Sequence, residues 1–131
     1  IKAFMDRQIA DAKELGYVKT VLQRRRYIPE VSADNYMTRE FGKRMAMNAP
    51  IQGSAADLLK VAMVEIDKEF RKRGLKTEIL LQIHDELVFA VPEAERAEVE
   101  AVVHEKMAHP VAFRVPLTVE CSFGNNLFEV A

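Results

Sequence analysis

The chain carries a single cysteine, Cys121, so no internal disulfide can form, and that usage suits a reducing cytosol. It has no apolar run of membrane-spanning length and no signal-peptide pattern. The expectation is a cytoplasmic protein without a membrane partner. Internal repeats, low-complexity tracts and flexible linkers are also missing. No one sign of charge dominates: 19 Lys and Arg stand against 20 Asp and Glu, a net of −1. The three histidines (84, 104 and 109) match no structural zinc spacing, and His104 and His109 read as plain surface residues.

With 131 residues, 49% hydrophobic and 30% charged, the sequence can build one globular domain with a modest core. Its small net charge hides an uneven distribution. Residues 17–52 hold seven Lys/Arg against three Asp/Glu, whereas residues 77–131 hold three against ten. The middle of the chain suits a phosphate backbone, and the acidic end suits solvent or another protein segment. Ordinary surface charge is the competing explanation.

Apolar spacing predicts a helix over 3–15 stopped by Gly16, with Phe4, Ile9, Ala12 and Leu15 on one side. Two short strands follow, Tyr17 to Leu22 and Arg26 to Val31, around a basic turn; Pro29 shortens the second. Asp34 or Asn35 can cap a long helix over 36–73. Met37, Phe41 and Met45, then Ala56, Leu59, Met63, Ile66 and Phe70, mark its core stripe. Pro50 and Gly53 predict a kink or restart near 50–53, and Gly74 closes the helix. A hairpin occupies 77–91, a helix begins at Pro92 with Val99, Val103 and Met107 apolar, and Val115 to Phe123 reads as a last strand. The expected class is α+β: a small, mainly antiparallel sheet of two hairpins and a C-terminal strand, with helices packed on one side.

Within the hairpin, Leu80-Leu81-Gln82-Ile83 and Leu87-Val88-Phe89 flank His84-Asp85-Glu86 with no Gly or Pro. Alternation predicts Ile79, Leu81 and Ile83 on one face and Leu80, Gln82 and His84 on the other. Two carboxylates amid apolar surface are costly to bury unless neutralised, and Mg²⁺ favours one or two carboxylates plus substrate phosphates. A solvated turn is the alternative. Upstream, Arg44 and Asn48 stand four apart on one helix face, and Gln52 extends that row if the helix continues past Pro50. Such side chains can meet the minor-groove acceptors that all base pairs share; the alternative is the polar face of an amphipathic helix. Arg24, Arg25 and Arg26 form a basic cluster at the first turn.

Three blocks, Arg24-Arg25-Arg26-Tyr27-Ile28-Pro29, the run from Arg44 to Asp57, and Leu80 to Glu86, together resemble the C-terminal part of the palm of family A DNA polymerases. The last block is similar to that family's third polymerase motif. The resemblance implies a single palm segment over 1–131 of an enzyme that adds deoxynucleotides to a primer 3′ end during replication or repair. It implies two Mg²⁺ in the complete enzyme, with Asp85 as a metal ligand, Glu86 assisting near the primer end and His84 meeting the primer terminus. It further implies contact of Arg44, Asn48 and Gln52 with template and primer, and of Arg24, Arg25 and chiefly Arg26 with template phosphates. Primer–template DNA, a deoxynucleoside triphosphate and the rest of the polymerase chain are the implied partners, in a bacterial cytoplasm at the nucleoid.

Two departures qualify the resemblance. Gln23 stands where the family usually has Gly or His. The family's strand with the first catalytic Asp, and its fingers helix, do not occur, so the chain reads as a piece of a polymerase, inactive alone. Ser54-Ala55-Ala56-Asp57 reads as structural, its small residues allowing close helix packing and Asp57 serving as a local hydrogen-bond acceptor, while Asp57 and Asp67 both read as helix-surface groups. One rival is a non-catalytic duplex-binding module. Another is a metal phosphohydrolase built on His84-Asp85, for which too few further ligands are present.

Overall fold

The structure, a computed structural model, describes residues 1–130. Its elements run α1 (Lys2–Leu15), β1 (Tyr17–Lys19), β2 (Arg25–Tyr27), a 3-10 turn (Pro29–Ser32), α2 (Tyr36–Arg73), β3 (Glu78–Ile83), β4 (Glu86–Ala90), a second 3-10 turn (Glu93–Glu95), α3 (Arg96–Ala108) and α4 (Leu127–Val130). The α+β class holds, but the strands form two separate antiparallel pairs, β1–β2 and β3–β4, instead of one sheet. Two compact units result, one of residues 1–57 and one from Leu58 onward.

The first unit closes around Ala12, Val18, Ile28, Val31, Ala46 and Ala49, with Ile9 and Met45 packed against them. Several expected core residues are not in it. Phe4, Leu15, Met37 and Phe41 are exposed, and small residues take the buried face of α2. The cause is close approach. A Cβ on Gly42 would lie 2.4 Å from the Val31 nitrogen, so α2 meets the first 3-10 turn nearly backbone to backbone. The first two strands are three residues each, shorter than expected. Pro29 has no N–H for a ladder, and its φ suits the first position of the 3-10 turn it opens.

Helix α2 begins at Asn35, whose side chain accepts the Thr38 N–H at 3.0 Å. The restart expected near Pro50 does not occur; the helix is continuous from Tyr36 to Arg73. The Ser54 hydroxyl donates to the Pro50 carbonyl one turn back, inside the uninterrupted helix. The end follows the pattern expected from Gly74, which takes φ 67°. The Leu75 N–H bonds the Phe70 carbonyl at 3.0 Å and the Gly74 N–H bonds that of Arg71 at 3.2 Å, a Schellman closure.

In the second unit, Ile66 and Phe70 of α2 and Val99, Val102 and Val103 of α3 form the core. Against them pack Ile79, Leu87 and Phe89 of the β3–β4 hairpin, so helices cover one sheet face as expected. Phe70 and Phe89 meet edge to face with centroids 6.0 Å apart. The face assignment within β3 differs from expectation. Ile79 pairs with Phe89 and Leu81 with Val88, leaving Leu80 as a bulge. One extra residue reverses every later side chain. Ile79 therefore faces the core, while Leu81 and Ile83 face outward and remain 48% and 38% exposed. The strand expected over Val115 to Phe123 does not form; among the described residues this segment pairs with no other strand. An extended segment becomes a strand only when a neighbour takes its N–H and C=O groups. Cys121 in this segment packs half-buried on the core, and burial pushes its thiol pKa up.

Candidate functional site

The β3–β4 hairpin is tied at its base. The Glu95 carboxylate accepts the Lys76 N–H at 2.8 Å, the Thr77 N–H at 3.0 Å and the Thr77 hydroxyl at 2.7 Å. These bonds, that of Lys76 first, hold the Glu95 pKa below the usual carboxylate range. At the other end Ile83 pairs with Glu86, so His84 and Asp85 alone make the turn. His84 takes φ 54°; among described non-glycine residues only it and Gln23 have positive φ. A left-handed φ at the first of two central residues matches the twist of a tight hairpin, at a cost of about 1–2 kcal/mol for a residue with a Cβ.

His84, Asp85 and Glu86 are all exposed. Neither carboxylate forms a salt bridge among the described residues, so both retain their acceptor capacity for a ligand. No three His, Cys, Asp or Glu converge among the described residues.

The second candidate region lies in the first unit. Arg26, Phe41, Arg44, Met45, Asn48, Ala49 and Gln52 line one concavity of about 210 Å³. Three of the polar residues are one helix row, held in line because α2 continues past Pro50. The fourth, Arg26, comes from β2, where it pairs with the buried Val18. The Arg44 guanidinium lies 5.9 Å from the Phe41 ring centroid. Four side chains from two sequence blocks thus share one surface.

The arginine cluster itself is not on the turn. The turn is Val21-Leu22-Gln23, closed by Thr20 N–H to Arg24 C=O at 2.9 Å, with Gln23 at φ 66°. This is a three-residue loop with a left-handed final residue, the place where glycine is favoured. Arg25 and Arg26 are strand residues, so alternation sends them to opposite faces. The Arg25 guanidinium stacks 4.5 Å from the Tyr17 ring centroid. Arg24 bonds the Asp57 carboxylate through Nε at 2.8 Å.

Asp57 is the residue that sequence reasoning misplaced. It is 2% exposed, not a helix-surface group, whereas Asp67 is half exposed and paired with Arg71. The Asp57 carboxylate accepts the Thr20 hydroxyl at 2.6 Å, and the Thr20 oxygen accepts the Arg24 N–H at 3.1 Å. Ser54, one turn earlier, accepts the Val21 N–H at 2.8 Å. Ser54 and Asp57 therefore pin the β1–β2 turn to α2. Ala55 and Ala56 between them are exposed. The i, i+3 spacing of Ser54 and Asp57 was the available signal, but their partners lie 33 and 37 residues away.

The sequence model of DNA polymerase family A matches residues 1–129. DNA polymerase I of Bacillus subtilis (strain 168) is 44% identical over 129 residues, 98% of this chain and 15% of that protein. DNA polymerase I of Mycobacterium leprae (strain TN) is 48% identical over 118 residues, 90% of this chain and 13% of that protein. Among solved structures, the POL domain of Pol1 from M. smegmatis, in complex with DNA primer-template and dNTP, superposes with a TM-score of 0.86 at 46% identity. It covers 89% of this chain and 21% of its own. The chain spans about one-seventh of the length of the curated relatives it matches. With a family match over nearly every residue and these identities, the chain belongs to the family A DNA polymerases.

Proposed function

We propose that the chain is the C-terminal palm segment of a DNA-templated DNA polymerase that extends a primer 3′ end. The observation that carries the reading is Asp85, an exposed and unpaired carboxylate on a two-residue hairpin turn. Membership of the family and likeness to a polymerase domain solved with primer-template and dNTP support it. In this reading Asp85 supplies one metal-binding carboxylate, and the family's first catalytic Asp, outside this sequence, supplies the other. Bound Mg²⁺ would neutralise the triphosphate and favour ionisation of the attacking hydroxyl. Glu86 assists beside the primer end, and His84 orients the primer-terminal sugar or backbone. Arg44, Asn48 and Gln52 follow the minor groove without reading sequence, and Arg26 holds a template phosphate. Arg25 and Arg24 add positive charge toward the template phosphates, Arg24 while bound to Asp57.

The test is Asp85→Ala in the full-length polymerase. Primer extension should fall by several orders of magnitude while duplex affinity largely survives. Retained extension would refute the metal-ligand role. The isolated chain should extend no primer. A non-catalytic duplex-binding module is the second reading, favoured only by the concavity around Arg26 and Arg44. It requires that Asp85→Ala in the full-length protein change nothing measurable.

A further inference from the structure

The β1–β2 hairpin has a second face. Tyr17 pairs with Tyr27, and Lys19 with Arg25, so strand alternation puts these four side chains on one side. Val18 and Arg26 take the other, where Val18 is buried in the core. The outward four form an ordered array. The two tyrosine rings meet edge to face with centroids 5.5 Å apart. Over Tyr17 lie the Arg25 guanidinium at 4.5 Å and the Lys19 ammonium at 5.8 Å. Tyr27 remains 64% exposed, and neither strand contains an acidic residue.

We infer that this outward face binds single-stranded nucleic acid, with unpaired bases stacking on Tyr27 and on the Tyr17-backed guanidinium of Arg25, and phosphates meeting Lys19 and Arg25. Aromatic rings interleaved with cations are what an unpaired strand requires, because each base offers a π-face and each linkage a negative charge. A duplex hides its base faces within the stack and would use only the two cations. Arg25 already rests over the Tyr17 ring, 4.5 Å from its centroid, so less side-chain freedom is lost when a base covers it. The surface is distinct from the concavity at Arg26 and Arg44. The biological source of the strand, an unpaired template, rests on the polymerase reading; the binding itself does not.

Binding of fluorescein-labelled dT15 to the 131-residue chain at low salt tests the inference by anisotropy. Tyr27→Ala and Arg25→Ala should each weaken binding about fivefold or more, and Tyr27→Phe should retain it. The chain has no tryptophan and three tyrosines, so in Tyr36→Phe the emission comes from Tyr17 and Tyr27 and should be quenched by dT15. Absence of dT15 binding, an unchanged affinity in Tyr27→Ala, or equal losses in Tyr27→Ala and Tyr27→Phe would overturn it. So would a blunt duplex that competes equally and is equally sensitive to Tyr27→Ala. Arg44→Ala should weaken duplex binding, and failure there would count against the polymerase reading alone.

Discussion

At the β1–β2 turn, Gln23 holds φ 66° in a loop whose final residue favours glycine. A side chain there strains the backbone, so Gln23→Gly should stabilise the chain by about 1 kcal/mol, read as a rise in thermal midpoint. The turn tolerates Gln23 because its neighbours are tied down: Thr20 and Arg24 to Asp57, Val21 to Ser54. Asp57→Ala would leave the buried Thr20 hydroxyl without its acceptor, costing about 1–3 kcal/mol in a denaturant melt. A change within a few tenths would mean the turn stands without its pin. His84 likewise has a positive φ, 54°, beside the exposed Asp85.

Among the elements, the β3–β4 hairpin depends most on one side chain outside it. Glu95 captures two amides and a hydroxyl at the start of β3, and its pKa is lowered as a result. A carboxyl whose folded pKa lies below its unfolded value stabilises the fold above the unfolded pKa. That contribution is lost as pH falls through the folded value. Thermal midpoints measured across the acid limb should therefore decline in the wild type. In Glu95→Gln, which cannot ionise, that decline should be shallower and the midpoint at neutral pH lower. Equal slopes would remove Glu95 from the acid response. Helix α2 has the complementary role of keeping Arg44, Asn48 and Gln52 in one row through a proline.

For the molecule as a whole, charge placement matters more than charge total. The net charge of −1 coexists with a basic surface of Arg26, Arg44 and their neighbours in the first unit and an acidic turn in the second. If Arg26 neutralises a phosphate, Arg26→Ala should weaken duplex binding at low salt. It should also reduce the slope of log K against log salt by about 0.9. A parallel line of unchanged slope would assign Arg26 to a contact other than phosphate.

The elements themselves were legible because they depend on local physics. The helices expected over 3–15 and 36–73, a hairpin over 77–91 bent at His84-Asp85-Glu86, and a cap from Asp34 or Asn35 all follow from periodicity and capping chemistry; the structure narrows the turn to His84-Asp85 and the cap to Asn35. The grouping of Arg44 and Asn48 also followed from helical spacing, whereas Gln52 joins their row because the helix continues through Pro50. Only tertiary structure decided what depends on a distant partner. Asp57 is buried because Thr20 and Arg24 approach it from the β1–β2 turn, and Met37 and Phe41 stay exposed where α2 meets the first 3-10 turn closely at Gly42. Leu80 becomes a bulge, and residues 115–123 stay unpaired, because register and pairing are properties of two strands, which one stretch of sequence does not contain.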